Sequence, residues 1–145
     1  MPKRVLVADD EPLTAELFAL MLAFCGFEVV CAHTGAEALA RAREFKPDIL
    51  LLDVLMPVLE GDTVTRLLRA DPDLAERPVV LISSADECEV DWRAAGATVF
   101  LQKPVDIRQL PNLVTALLPA DAVRPGRLTR RAARAAIRRW SLPAR

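Results

Sequence analysis

The chain has 145 residues, of which 52% are hydrophobic and 27% are charged. This length and composition are typical of one globular domain with its own core and exclude a disordered chain. The net charge of −1 combines two opposite parts: residues 1–123 carry 11 Lys or Arg and 20 Asp or Glu, giving −9, whereas residues 124–145 carry eight Arg and no acid, giving +8. The sequence therefore predicts an acidic body with a basic tail.

Neither a targeting segment nor a membrane span is indicated. The apolar run over 5–8 is too short for the apolar part of a signal peptide, and no segment approaches the length that crosses a bilayer. We therefore expect a cytoplasmic protein. Cys25, Cys31 and Cys88 show no CxxC spacing and have no partner histidines, so neither a disulfide framework nor a zinc site is supported.

Five short apolar runs alternate with segments of helical periodicity up to about residue 118. This alternation predicts parallel strands connected by helices, an α/β fold. The runs are apolar on both faces, as strands covered on both sides should be. They are 5–8, 27–32, 49–52, 79–82 and 99–101.

The first two predicted helices have clear ends in the sequence. Apolar residues recur at helical spacing over 13–24, and Gly26 is a typical residue to follow a helix. Thr34 and Glu37 form a capping-box pattern, which predicts a second helix over 36–45.

The other three predicted helices have weaker boundaries. Asp62 is the expected cap of the third, and the fourth is expected over about 87–95. Asp106 can cap a fifth helix, although Pro111 removes a helical donor and can delay its start to Leu110.

The composition changes sharply after residue 119. We expect a folded domain over 1–119 and an Arg-rich C-terminal extension over 120–145, helical from about 127 to 140. Such a helix would be amphipathic, with apolar side chains opposite a basic face. The basic face consists of Arg127, Arg130, Arg131, Arg134 and Arg138.

Four of the apolar runs lead directly into polar residues. The first leads to Asp9 and Asp10, the third to Asp53, the fourth to two serines at 83–84, and the fifth to Lys103. Open α/β sheets bind ligands at the carboxyl ends of their strands, so we expect these side chains to meet there. Three carboxylates, a hydroxyl and an ammonium suit a divalent cation and a phosphoryl group.

Four motifs at these strand ends resemble the receiver domain of two-component response regulators. In chain order they read VLVADDEP, LLDVLMP, LISSAD and FLQKP, and the resemblance covers about residues 3–118. It implies a flavodoxin-like, doubly wound α/β fold with a five-stranded parallel sheet in the order 2-1-3-4-5 and five helices, followed here by the basic extension. It also implies a stand-alone, chemotaxis-regulator-like signalling protein. Such a protein is not an enzyme beyond self-phosphorylation from small phosphodonors and slow loss of the phosphoryl group.

The resemblance implies a metal centre and a phosphoacceptor. Asp53 is the phosphoacceptor, and Asp9, Asp10, Asp53 and the backbone carbonyl of Leu55 are the implied ligands of Mg²⁺. The assignment is physically reasonable, because three crowded carboxylates repel one another unless a cation offsets their charge.

The remaining implied residues stabilise the phosphoryl group or respond to it. Lys103, the hydroxyl of Ser84 and the backbone amide of Ala85 are expected to stabilise it, and Ser84 and Phe100 to act as the switch. The second serine of the pair is preferred because a small residue follows it. Pro104 is the candidate for a cis peptide bond. Phosphorylation would alter the surface formed by helix 4, strand 5 and helix 5.

The implied partners are a sensor histidine kinase or histidine phosphotransfer protein, a downstream protein target and, as a further option, a second copy in a homodimer. The sequence leaves three roles open for the tail. It could dock on an acidic surface of its own or a sister domain, form a partner-binding or dimerising helix, or contact nucleic acid or anionic lipid.

One departure from the family concerns helix 4. Only ten residues separate Ala85 from Gly96, fewer than is usual, so helix 4 is expected to be short by nearly a turn.

Three alternative functions are weaker. A haloacid dehalogenase-like phosphatase also uses an aspartate nucleophile and Mg²⁺, but it needs a second aspartate where this chain has Leu55. A flavodoxin-type flavin binder is disfavoured because the acidic residues 9–11 would repel a phosphate. A phosphorylation-independent interaction module is disfavoured because the acceptor residues are all present.

Overall fold

The computed structural model describes residues 2–119, which form one parallel sheet with helices on both faces. The strands are β1 (Arg4–Ala8), β2 (Glu28–Ala32), β3 (Ile49–Asp53), β4 (Val79–Ser83) and β5 (Val99–Gln102). The helices are α1 (Pro12–Phe24), α2 (Gly35–Phe45), α3 (Gly61–Arg69), α4 (Trp92–Ala95) and α5 (Leu110–Leu117). The predicted extension, its helix over 127–140 and its basic face lie outside the described residues.

The sheet has the order β2-β1-β3-β4-β5, and every neighbouring pair is parallel. The predicted fold class and strand order are therefore confirmed. The register aligns the carboxyl ends of the strands: Ala8 lies beside Leu52, and Ser83 lies beside Gln102. Residues that follow these positions are consequently held at one edge of the sheet.

Each face of the sheet contributes one hydrophobic core. Val5 and Val7 pack with α1 and α5, whereas Leu6 and Ala8 pack with α2 and α3. Full burial of a large aliphatic side chain contributes about 1.5–3 kcal/mol, so a charge inside β1, β3 or β4 would be costly. This explains why the polar residues are confined to the strand ends. Within residues 2–119, no helix is long and apolar enough to cross a membrane.

The predicted capping box before α2 is confirmed with one difference. Thr34 Oγ1 accepts a hydrogen bond from the Glu37 backbone N–H at 3.1 Å. The Glu37 carboxylate accepts from the backbone N–H of His33 at 3.3 Å, one residue before the position that the motif predicts. The helix begins at Gly35.

The predicted cap of α3 is wrong. Glu60 occupies the cap position, without a side-chain cap hydrogen bond, and Asp62 lies within the first turn. There the Asp62 carboxylate accepts from the Thr63 backbone N–H and pairs with Arg66 at 3.5 Å. An acid in the first turn is still favourable, because the N-terminal end of a helix carries partial positive charge.

The fourth helix is shorter than predicted. A 3-10 turn covers Glu87–Glu89, Val90 is extended (φ −117°, ψ 121°), and only the four residues of α4 are helical. Gly96 ends α4 in the left-handed conformation at φ 94°, which glycine adopts without steric cost.

The fifth helix begins at Leu110, the delayed start that Pro111 predicts. Asp106 does not cap it. Its carboxylate instead accepts from the backbone N–H of Arg108, in the turn that precedes the helix.

Candidate functional site

Three carboxylates converge at the carboxyl edge of the sheet. Asp9 follows β1, Asp10 comes next in the chain, and Asp53 is the last residue of β3. One carboxylate oxygen from each lies within 4.8 Å of the others. Asp9 and Asp53 are only 2% and 5% exposed, whereas Asp10 is exposed. Two carboxylates of the cluster are thus buried, and the third lies at the surface.

The backbone around β1 holds Asp9 in this position. Its N–H donates to the Ala32 carbonyl at 3.0 Å, which continues the ladder to β2 beyond the strand. Its Oδ1 accepts from the Glu11 N–H at 2.9 Å, which turns the chain into α1. His33 Nδ1 lies 3.2 Å from the Asp9 carbonyl oxygen and is not part of the acidic cluster.

Lys103, the residue that follows β5, bridges the two buried acids. Its Nζ donates to Asp9 Oδ2 at 3.1 Å and to Asp53 Oδ2 at 3.2 Å. The Lys103 backbone N–H donates to the Ser83 carbonyl at 2.8 Å, and the Lys103–Pro104 bond is cis, the form expected for Pro104. One ammonium therefore faces three carboxylates, which leaves an excess of negative charge.

Burial and crowding change the acidity of these groups. Burial, together with repulsion from Asp9, raises the pKa of Asp53 from 3.8 to about 6, although Lys103 and the Leu55 backbone N–H oppose the rise. Burial disfavours the charged form of Lys103, but attraction from Asp53 and Asp9 outweighs it and raises the Lys103 pKa. The site thus favours an added positive charge.

The donor set fits a hard divalent cation. All three side chains offer oxygen, and no nitrogen or sulfur ligand belongs to the cluster. The excess negative charge gives a physical reason for a cation at this position. The expected fourth ligand, the Leu55 carbonyl, follows the end of β3 by two residues, and the Leu55 side chain is about half exposed.

The loop after β3 is held close to Asp53. The Gly61 N–H donates to the Val54 carbonyl at 2.8 Å, and a Cβ at Gly61 would lie 2.3 Å from the Asp53 carbonyl oxygen. Only glycine permits this approach. In the same loop, Val58 has φ 71° and is 80% exposed, an uncommon conformation for a β-branched residue.

The two serines after β4 have different environments. Ser83 is completely buried, and its Oγ accepts from the Ala85 backbone N–H at 3.0 Å. Ser84, the predicted switch hydroxyl, is exposed. The Ala85 amide predicted to bind a phosphoryl group is thus occupied by Ser83 here. Sequence reasoning missed this role of Ser83, although its position as the last residue of a buried strand was a usable indication.

The predicted switch aromatic stacks on a second aromatic ring. Phe100 is half-buried in β5, and its ring centroid lies 6.3 Å from that of Trp92, with an angle of 24° between the planes. The Arg93 guanidinium lies 4.4 Å from the centre of the Trp92 ring. The stack joins β5 directly to the short α4.

Comparison with known protein families matches residues 5–115 to the response regulator receiver domain. The chain therefore belongs to this family of two-component signalling proteins, in which histidine kinases or phosphotransfer proteins supply a phosphoryl group and downstream targets read the result.

Individual relatives cover nearly the whole described region. Protein PilH of Pseudomonas aeruginosa is 36% identical over 117 residues, which cover 79% of this chain and 97% of PilH. Chemotaxis protein CheY4 of Vibrio cholerae is similar in structure, with a TM-score of 0.76, 28% identity, and coverage of 81% of this chain and 100% of CheY4. A chain of the CheX–CheY–BeF3–Mg²⁺ complex from Borrelia burgdorferi has a TM-score of 0.72 at 27% identity, covering 80% of this chain and 89% of that one. Other curated relatives are longer, and this chain spans about half of several of them.

Proposed function

We propose that this chain works in the cytoplasm as a single-domain response regulator in which Asp53 accepts a phosphoryl group in a Mg²⁺-dependent reaction. The observation that carries the proposal is the convergence of Asp9, Asp10, Asp53 and Lys103 at one edge of the sheet. The near-complete coverage of PilH and CheY4 supports the single-domain assignment.

Asp9, Asp10, Asp53 and the Leu55 carbonyl would hold the Mg²⁺. The bound cation would supply positive charge that offsets the carboxylates and stabilises the charge on the phosphoryl oxygens. The Borrelia CheY complex contains both Mg²⁺ and BeF3, which supports the same ligand chemistry at this site.

In the proposed reaction, a carboxylate oxygen of Asp53 attacks phosphorus in line with the leaving group. A new O–P bond forms as the donor's N–P or O–P bond breaks, and the product is an acyl phosphate on Asp53. Lys103 Nζ, already 3.2 Å from Asp53 Oδ2, remains close enough to bind an oxygen of the transferred group. The phosphodonor is a phosphohistidine of a kinase or phosphotransfer protein, or a small acyl phosphate.

The product would be read by the loop after β4. A phosphoryl group adds about −1.5 to −2 charges and strong acceptor oxygens. The Ala85 N–H would exchange the Ser83 oxygen for a phosphoryl oxygen, and the exposed Ser84 would turn inward to donate to the same group. Phe100 would then move, and because it stacks on Trp92 the movement would reach α4. Partners would recognise the changed surface of α4, β5 and α5.

The test is incubation of the protein with acetyl phosphate and Mg²⁺, followed by intact mass spectrometry. We expect one phosphoryl group per chain. EDTA added before acetyl phosphate should prevent this labelling, and the Asp53→Asn variant should not be labelled. Glu16→Asn is a matched control, because Glu16 is exposed on α1 and lies outside the acidic cluster. A phosphoryl group that persists in Asp53→Asn would contradict the proposal.

The alternatives are less well supported. The position that a haloacid dehalogenase-like phosphatase needs for its second aspartate is Leu55, and the acidic cluster contains no other carboxylate. A phosphorylation-independent module would not need two buried carboxylates beside one shared ammonium, an arrangement that is costly to keep. It would be the conclusion if the wild-type protein accepted no phosphoryl group.

A further inference from the structure

Strand β5, at one edge of the sheet, is more exposed than the other strands. Strands β1, β3 and β4 are almost entirely buried, whereas every residue of β5 is half-buried or exposed. β5 is an edge strand, and the helix that packs on its Phe100 side, α4, has only four residues. Among the described residues no strand pairs with the outer edge of β5.

An apolar groove runs between β5 and α5, on the face of β5 opposite to α4. Its volume is about 280 Å³. Its apolar lining includes Leu101, Val105, Leu110 and Leu113. We call this feature the β5–α5 groove. It can accommodate a few apolar side chains of a covering segment.

A strongly acidic turn adjoins the other face of β5. Residues 86–91, here called the acidic turn, contain four acids and no base, and all four are exposed. Glu87 pairs with Arg93 at 3.6 Å. Within residues 2–119, Asp86, Glu89 and Asp91 form no ion pair. The turn contacts β5 directly, so the acidic turn and the β5–α5 groove adjoin the same edge strand on its two faces.

The charge of the described body differs from that of the rest of the chain. Residues 2–119 carry 11 Lys or Arg and 19 Asp or Glu, giving −8, whereas residues 124–145 carry +8. The latter segment also contains Leu128, Ile137 and Trp140, which can fill an apolar groove. It therefore matches both the acidic turn and the β5–α5 groove.

We propose that residues 124–145 dock along the exposed edge strand β5 of their own chain, with apolar side chains in the β5–α5 groove on one face and arginines reaching the acidic turn on the other.

The chain is long enough for this docking. The described structure ends at residue 119, just after α5, which is about 12 Å long. Seven linking residues, 120–126, span up to about 25 Å when extended. A helix over 127–140 would add about 21 Å. The segment can thus turn back along α5 and reach the acidic turn.

A larger groove at the amino ends of the strands is a weaker docking site. It has a volume of about 560 Å³ and includes Pro119, close to where the segment begins. However, two of its three acids are already paired, Asp48 with Arg77 at 3.7 Å and Asp73 with Lys46 at 3.8 Å. Lys3 and Arg77 also line the groove and add positive charge. Arginines would gain less there than at the acidic turn.

Hydrogen exchange of the full chain, followed by mass spectrometry, tests the docking. In a monomer at low salt, we expect the amides of 86–91 and 99–113 to exchange several-fold more slowly than in a variant with Arg130→Glu, Arg131→Glu and Arg134→Glu. The matched variant with lysine at these three positions keeps the charge and should keep the protection. High salt should remove it, because exposed ion pairs are screened.

A second set of variants tests the acidic side. Asp86→Asn with Glu89→Gln should lose the protection of 99–113, whereas Glu16→Gln with Glu44→Gln, on other helices, should keep it. Asp53→Asn should also keep it, since the docking does not depend on phosphoryl transfer. A failure of the docking proposal is therefore distinguishable from a failure of the proposed function.

Three results would overturn the proposal. Equal exchange in wild type and the Arg-to-Glu variant would show that the segment does not cover this face. Protection that appears only with a dimer in sedimentation and disappears on dilution would assign the face to a second copy. Protection that requires added duplex DNA or anionic vesicles would assign the segment to those ligands.

Discussion

At the residue scale, the site depends on the balance between two buried carboxylates and one ammonium. Lys103 lies within hydrogen-bonding distance of both Asp9 and Asp53, yet the pKa of Asp53 is still raised to about 6. One lysine is therefore insufficient to offset the burial of Asp53 and its repulsion by Asp9. This imbalance makes the site sensitive to protons and to divalent cations.

The first prediction concerns pH. In the absence of metal, the folded protein binds a proton at Asp53 more tightly than the unfolded chain does, because its pKa is about 6 rather than 3.8. Asp53 therefore contributes stability below about pH 4 that is lost as the pH rises through about 6. Thermal unfolding in EDTA should show this loss, and Mg²⁺ should reverse it at neutral pH. A pH profile unchanged in Asp53→Asn would contradict the expectation.

The second prediction concerns Lys103. The Lys103→Met variant leaves Asp9 and Asp53 without their common partner, so we expect a loss on the order of 2 kcal/mol in unfolding free energy at neutral pH without metal. Denaturant titration measures it. Lys46→Met is the control, because its pair with Asp73 is exposed and should contribute less than about 1 kcal/mol. Equal losses in the two variants would show that the contacts of Lys103 with Asp9 and Asp53 stabilise the fold no more than an exposed ion pair does.

The third prediction concerns Ser83. Its hydroxyl occupies the Ala85 N–H, so the Ser83→Ala variant frees that amide for a phosphoryl group. We expect phosphorylation by acetyl phosphate to become a few-fold faster, while the free energy of unfolding falls by about 1 kcal/mol. Thr115→Ala is a control for loss of a hydroxyl, since Thr115 bonds within α5 away from the site. A slower reaction in Ser83→Ala would disprove the competition for the amide.

At the element scale, strands were easier to predict from sequence than helix ends. Uninterrupted apolar runs locate the buried strands, and parallel strand ends place Asp9, Asp53 and Lys103 together. The cap of α3 was not predictable from the acids alone, because Glu60 and Asp62 are both candidates. The choice depends on Gly61, whose contact with the Asp53 carbonyl is a tertiary interaction.

The predicted bounds of the fourth helix were wrong for a similar reason. Its sequence over 87–95 suits one short helix, but Val90 is extended and the ring of Trp92 stacks on Phe100. A tertiary contact with the following strand, β5, decides where α4 begins. The environments of Ser83 and Ser84 likewise depend on which of the two the neighbouring elements cover.

The fourth prediction uses this stack. In a Trp140→Phe background, Trp92 is the only tryptophan and reports on α4. We expect acetyl phosphate and Mg²⁺ to change its fluorescence, because movement of Phe100 alters the ring contact. The change should be absent in Asp53→Asn and much smaller in Phe100→Leu. An unchanged response in Phe100→Leu would separate Trp92 from the switch.

At the scale of the whole molecule, negative charge and the burial of the strands are unevenly distributed. The described body is acidic, and its least covered strand, β5, lies beside its most acidic turn. The surface that would report phosphorylation is also the proposed docking surface of residues 124–145. A docked segment would compete with any partner that reads α4, β5 and α5, so occupancy of Asp53 and release of the segment would be thermodynamically linked.

The aligned strand register determines where another domain can be inserted into the chain. Adding a residue within β3 would turn its side chains to the opposite face and move Asp53 away from Asp9. The connection between α3 and β4 lies at the far edge of the sheet, and Asp73 and Glu76 are exposed there. A fluorescent reporter domain inserted after Asp73 should therefore leave the acceptor chemistry intact, provided that Leu74 stays buried, and acetyl phosphate labelling of the fusion measures this tolerance.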